Sequence, residues 1–115
     1  EGMIGEKELS LMKETAFLIN TARGPVVDEK SLYEALKEGK IAGAAVDVYN
    51  KEPPGAEFPL FELDNVVVSP HIAAYTFEAI RRMDMMNAED IVRFFRGEKP
   101  QYTANPEVLK KLLKR

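Results

Sequence analysis

The sequence has no cysteine, which excludes a disulfide frame and a thiolate metal site. It has no long apolar run either. Its longest ones fall far short of the ~20 residues that a bilayer-spanning helix needs, so no membrane partner is expected. No signal peptide is visible, and the expected compartment is the cytoplasm. There is a single histidine, His71, so any imidazole chemistry falls on that residue. A strong charge of one sign is also missing. Residues 1–75 hold seven basic and thirteen acidic groups, and residues 76–115 hold nine and six. The basic excess of the second part is interleaved with acids, a solvated face and not a nucleic-acid footprint. What is there is a globular composition: 45% hydrophobic and 30% charged residues in a chain of 115, enough for one domain or part of a larger one.

The chain alternates between two kinds of segment. Ile4 and Leu9 flank a helix entry with Gly5 as cap and Glu8 at the third helical position, and the helix is predicted to end near Lys13. Ala16–Ile19 is an apolar run that reads as a buried parallel strand. Asp28 is placed to cap a second helix, with Leu32, Ala35 and Leu36 on one face and Gly39 at its end. Residues 41–48 read as a second strand, whose small residues suggest close packing of a helix or a flat ligand. Three prolines make residues 49–59 a loop, and Val66–Val68 is a third strand. Thr76 caps a long helix ending at Gly97, with Phe77, Ile80, Met83, Asn87, Ile91 and Phe94 on one stripe, which argues for a buried face. A brief helix is predicted around Val108 to Leu113.

Strands alternating with helices predict an α/β fold with a parallel sheet. Three strands make a thin sheet, and an apolar first strand makes a poor exposed edge. The sheet is therefore expected to continue beyond this chain, in a preceding segment or a partner subunit, and self-association is expected. In open parallel sheets ligands bind at the carboxyl ends of strands. Here those ends carry Arg23, Glu52 and His71 in turn. Each has a plainer reading alone: a solvated arginine, a charge in a proline-rich loop, a lone imidazole. Asp47 can merely cap a loop and Gly24 merely serve a turn. Their occurrence at successive strand ends is what argues for one site.

Asn20-Thr21-Ala22-Arg23-Gly24-Pro25-Val26-Val27-Asp28 resembles the arginine signature of the D-isomer-specific 2-hydroxyacid dehydrogenases. Asp47-Val48-Tyr49-Asn50-Lys51-Glu52-Pro53 resembles their glutamate motif, and Ser69-Pro70-His71-Ile72-Ala73-Ala74 their histidine motif. The motifs come in the family's order, over nearly the whole chain. Glyoxylate/hydroxypyruvate reductases and phosphoglycerate dehydrogenases are the members it looks most like. The resemblance implies the C-terminal half of a Rossmann-type NAD-binding domain over residues 1–97, with three parallel strands, flanking helices and a long helix at 76–97. Residues 98–115 would be the tail that returns to the substrate domain. It implies NAD as cofactor, NADP not being excluded, a small 2-keto or 2-hydroxy acid as substrate, and a homo-oligomer joined through the nucleotide-binding domain.

The chemistry follows from the groups. Reducing a 2-keto acid needs a cation for the substrate carboxylate, a proton donor for the forming alkoxide, and a group that keeps the donor protonated. The guanidinium fork of Arg23 suits the first, the imidazole of His71 the second and the carboxylate of Glu52 the third. By the resemblance, Asp47 would bond the nicotinamide carboxamide, while Thr21, Ala22, Arg23, His71 and Ala73 would line the cofactor. No metal is expected. One departure stands out: the 115 residues contain no G-x-G-x-x-G, the glycine turn that holds a dinucleotide pyrophosphate at a helix N-terminus. Two readings therefore stay open, the catalytic part of an oxidoreductase and an inactive, self-associating α/β module. A dehydrogenase-like corepressor is a third, and a formate dehydrogenase is disfavoured because it would carry glutamine in place of Glu52.

Overall fold

The computed structural model describes residues 1–109. It divides into two compact units, residues 1–73 and the residues from Ala74 onward. In the first, α1 (Glu6–Ser10), β1 (Phe17–Asn20), α2 (Glu29–Lys37), β2 (Gly43–Val46) and β3 (Val66–Val68) follow one another. The strands form a parallel sheet in the order β1-β2-β3. This is the expected α/β architecture.

Local chemistry sets the helix ends. The Asp28 side chain accepts a hydrogen bond from the Ser31 N–H at 2.8 Å, which satisfies an orphan donor of α2. Beyond α2, Gly39 takes φ +70°, the left-handed conformation that stops a helix. The Glu8 carboxylate reaches back to the Gly5 N–H at 3.1 Å and closes the start of α1. That helix stops at Ser10, short of Lys13.

One sheet face carries the core. Leu9, Leu32, Leu36, Ile41 and Leu60 are buried there together with Ala35, Ala44 and Val46. Burying each large aliphatic side chain contributes roughly 1.5–3 kcal/mol. On the opposite face apolar side chains are exposed among the described residues. Phe17 and Ile19 of β1 are 69% and 71% exposed, so the expectation of a fully buried first strand is corrected. Alternation along a strand sends Leu18 and Asn20 inward and Phe17 and Ile19 outward, and only the inward side is packed. A shallow hollow of about 440 Å³ on this face is lined by Phe17, Ile19, Ala45 and Val67. At Gly43 a side chain would meet the Asn65 carbonyl at 2.6 Å and the Phe17 ring, so the small residues of β2 serve close strand approach.

In the second unit α3 (Phe77–Phe95) is capped by the Thr76 hydroxyl, which accepts from the Ala79 N–H, and ends before Gly97 at φ +74°. The Asp90 carboxylate accepts from the Gln101 and Tyr102 N–H groups and ties the following segment back to the helix. A short 3₁₀ turn covers Pro106–Val108, and the rest of the helix predicted to Leu113 lies outside the described residues. None of the α3 stripe is buried, contrary to expectation; periodicity identifies an apolar face but not its partner. Among the described residues no helix is long and apolar enough to cross a membrane.

The packing predicts a contrast. Leu32 is 1% exposed and Leu11 78%. Leu32→Ala is expected to cost about 2–5 kcal/mol by the lost burial and the cavity left behind. Leu11→Ala should stay within about 0.5 kcal/mol. Urea unfolding followed by circular dichroism measures both.

Candidate functional site

The sheet register decides what meets at one edge. Asn20 pairs with Val46, and Val46 pairs with Val68. Three parallel strands therefore end level, and residues 21–23, 47–52 and 69–73 leave the sheet side by side.

The first loop is shaped by Asn20, which is buried. Its side-chain oxygen accepts from the Ala22 N–H at 3.1 Å, and its amide donates to the Arg23 carbonyl at 3.0 Å. Thr21, Ala22 and Arg23 are thereby held exposed at the edge. The Arg23 guanidinium donates to the Ala22 carbonyl at 2.6 Å and forms no salt bridge among the described residues, which leaves most of its fork open. Gly24 is required by contact and not by turn geometry. A Cβ there would lie 2.0 Å from the Tyr49 carbonyl carbon and 2.4 Å from the Asn50 nitrogen. The first loop thus lies directly against the backbone of the second.

The second loop is held at three points. The Glu29 carboxylate, from α2, accepts from the Asn50 N–H at 2.8 Å. The Tyr49 N–H donates to Glu52 Oε1 at 3.0 Å. Glu52 Oε2 lies 2.7 Å from His71 Nδ1. An ionised carboxylate only accepts, so Nδ1 bears the proton and Nε2 is the nitrogen turned to other partners. The hydrogen bond from His71, followed by that from the Tyr49 N–H, holds the Glu52 carboxyl below its ordinary value, and the Arg23 charge adds to the effect. Arg23, Glu52 and His71 therefore share one edge and one field, with Glu52 and His71 in direct contact.

Asp47 is buried at the end of β2. Its Oδ1 accepts from the Ser69 hydroxyl at 2.5 Å and the Ile72 N–H at 2.9 Å, and its Oδ2 from the Ala73 N–H at 2.9 Å. These bonds, the Ser69 hydroxyl first, hold its carboxyl below the ordinary range although burial opposes them. Asp47 is thus far more than a loop cap: it binds the turn that carries His71. Two residues with no assigned role in the sequence also bear on the site. Tyr49 is buried and donates from its hydroxyl to the Ser69 carbonyl at 2.8 Å, and Ser69 bridges Asp47 and Tyr49. An aromatic between Asp47 and Glu52 was the only signal for the first. Among the described residues no group of three His, Asp or Glu side chains could hold a metal ion. A hollow of about 570 Å³ lies elsewhere, between α2 and residues 58–62; the site itself is an open edge.

Residues 1–73 match the family described as D-isomer specific 2-hydroxyacid dehydrogenase, NAD binding domain. The chain belongs to this family. A glyoxylate reductase from Korarchaeum cryptofilum is 53% identical over 108 residues, which is 94% of this chain and 32% of that protein. A D-3-phosphoglycerate dehydrogenase from Archaeoglobus fulgidus is 53% identical over 96 residues, 84% of this chain and 18% of that one. The crystal structure of D-lactate dehydrogenase with NAD+ from Lactobacillus jensenii is similar at a TM-score of 0.78 and 34% identity, over 90% of this chain and 35% of that one. The 2-hydroxyacid dehydrogenase resemblance of the three motifs is thus a family membership, and the domain type is NAD-binding. The chain spans about a third of the length of the glyoxylate reductase it matches.

Two outcomes test this geometry. Gly24→Ala has no room and is expected to destabilise the chain by about 1–3 kcal/mol, as overpacking does, and to displace the 49–52 loop. Chemical denaturation and the shift of the His71 ring resonances in proton NMR would record both. The second concerns pH. Glu52 and Asp47 are depressed from ordinary values of 4.5 and 3.8, so protonation favours the unfolded chain. Their contribution is complete above those values and is lost as pH falls through the folded ones. Urea midpoints measured from about pH 7 to 3 should fall below about pH 4.5, and less steeply in Glu52→Gln.

Proposed function

We propose that this chain supplies the acid–base and substrate-anchoring groups of an NAD(P)-dependent D-2-hydroxyacid dehydrogenase, which exchanges a hydride between nicotinamide and a 2-keto or 2-hydroxy acid. The observation that carries the reading is the 2.7 Å contact of Glu52 with His71 Nδ1 at the edge that Arg23 shares. Arg23 offers its open fork to the substrate carboxylate and polarises the adjacent carbonyl. His71 Nε2 gives a proton to the forming alkoxide and recovers it in the reverse direction. Glu52 accepts the Nδ1–H bond and so fixes the ring with Nε2 free for the substrate.

The residues present fit the nicotinamide end of the cofactor. Asp47 uses three acceptor positions on the 69–73 turn, which leaves Oδ2 room for one more N–H such as a carboxamide. Thr21, Ala22 and Ala73 lie exposed beside it. Bound nicotinamide supplies the hydride. We assign residues 1–97 to the second half of the Rossmann domain and 98–115 to the tail, in a cytoplasmic homo-oligomer. The exposed Phe17, Ile19 and Val67 support self-association.

A second reading concerns the 115 residues alone: without a glycine-rich phosphate turn they bind dinucleotide too weakly to turn over. Hydride transfer by the isolated chain, abolished by His71→Ala, would overturn it.

The first reading is tested in a chimera that joins the N-terminal part of the Korarchaeum glyoxylate reductase to this chain. NADH oxidation with glyoxylate or hydroxypyruvate is expected, and His71→Ala should lower kcat by about 10²- to 10⁴-fold, the worth of a general acid. An unchanged rate in that variant sinks the assignment.

A further inference from the structure

Tyr49 is bonded to one half of the Glu52–His71 pair and to the turn that carries the other. Its N–H donates to Glu52 Oε1 at 3.0 Å. Its hydroxyl donates to the Ser69 carbonyl at 2.8 Å, and that same carbonyl accepts from the His71 N–H at 3.1 Å. The ring between these two ends is buried, edge-on to Phe58 with centroids 5.4 Å apart. His71 itself sits at φ +56°, a left-handed conformation that a residue with a side chain adopts only when its surroundings impose it.

We propose that Tyr49 is a positioning residue: through its hydroxyl it holds the Ser69–His71 turn in place, so that His71 Nδ1 stays on the carboxylate that its own N–H already grips. The two tethers, one from the backbone N–H and one from the buried side chain, act on opposite partners of one hydrogen bond. Asp47 holds the same turn from its other side, through Ser69 Oγ, Ile72 N–H and Ala73 N–H. Burial raises the Tyr49 phenol above its ordinary value, so it remains a donor at neutral pH. This inference rests on His71 as the proton donor, but its geometric content stands apart from turnover.

Tyr49→Phe removes the hydroxyl and keeps both the ring and the backbone N–H. His71 is the sole histidine, so the imaging of its ring nitrogens by 15N NMR is unambiguous. The 115-residue chain is expected to show Nδ1 protonated in the neutral ring. In Tyr49→Phe that preference should weaken by about 2- to 10-fold, the worth of one hydrogen bond. Phe58→Leu is the control: it loosens the ring's packing and lowers the urea midpoint, but leaves the nitrogen signature as in the parent. A signature unchanged in Tyr49→Phe overturns the proposal. So does an equal change in Phe58→Leu, which would make the effect one of packing alone. Should Tyr49→Phe fail to fold, the parent chain still decides: a neutral His71 ring without the Nδ1–H preference leaves Tyr49 nothing to hold in place and overturns the proposal. The His71→Ala rate is a separate measurement, so loss of the catalytic assignment and loss of this one are distinguishable.

Discussion

A buried carboxylate has to be satisfied, and much of the site's order follows from how Asp47 is. At the packed end of β2 it has little solvent. An ionised group in such a place is tolerated only with hydrogen-bond donors around it. All three donors come from the stretch after β3: one hydroxyl and two backbone N–H groups. Satisfying the charge therefore means fixing that stretch, and His71 lies within it. Electrostatic need at one residue becomes geometric order at another.

The arginine loop is tied in by a different force. Parallel register brings the strand ends level, but level ends alone leave the loops free to splay. Gly24 removes that freedom by bringing the first loop against the Tyr49–Asn50 backbone, a contact no side chain can share. Asn20 folds the same loop upon itself through both ends of its amide. The cation is thus aimed by steric fit and local hydrogen bonds, while the carboxylate–imidazole pair is aimed by charge.

Much of this was legible in the sequence. Asp28 and Thr76 announced two helix starts, Gly39 and Gly97 two helix ends, and each strand fell within a few residues of its expected place. The residues at the strand ends were legible because their chemistry is unlike that of their neighbours. What stayed hidden depends on long-range contact. Gly24 looked like a turn glycine, since its crowding involves a backbone some 25 residues away in sequence, and nothing local records it. The role of Tyr49 was hidden for the same reason: its hydroxyl partner is Ser69. Phe17 and Ile19 read as core because apolarity reports a preference for burial, not the presence of something to be buried against.

That one-sided burial bears on how the site keeps its shape. Leu9, Leu32, Leu36 and Leu60 pack one face of the sheet, and Tyr49 belongs to the same cluster. Asn20 and Val46, the last residues of β1 and β2, are buried as well. The loops therefore emerge from the anchored side of the sheet, next to dense packing. His71 is half-exposed, yet the bonds that direct it lead back within two or three steps to this core. A conformation at φ +56° is costly, about 1–3 kcal/mol for such residues, and a loosely held loop would relax out of it. Held instead by Asp47, Tyr49 and Glu52, the ring is oriented before any substrate arrives. On the proposed function, less of a substrate's binding energy would then be needed to arrange His71 as the acid, the condition under which a proton donor at an open edge can act as a directed one.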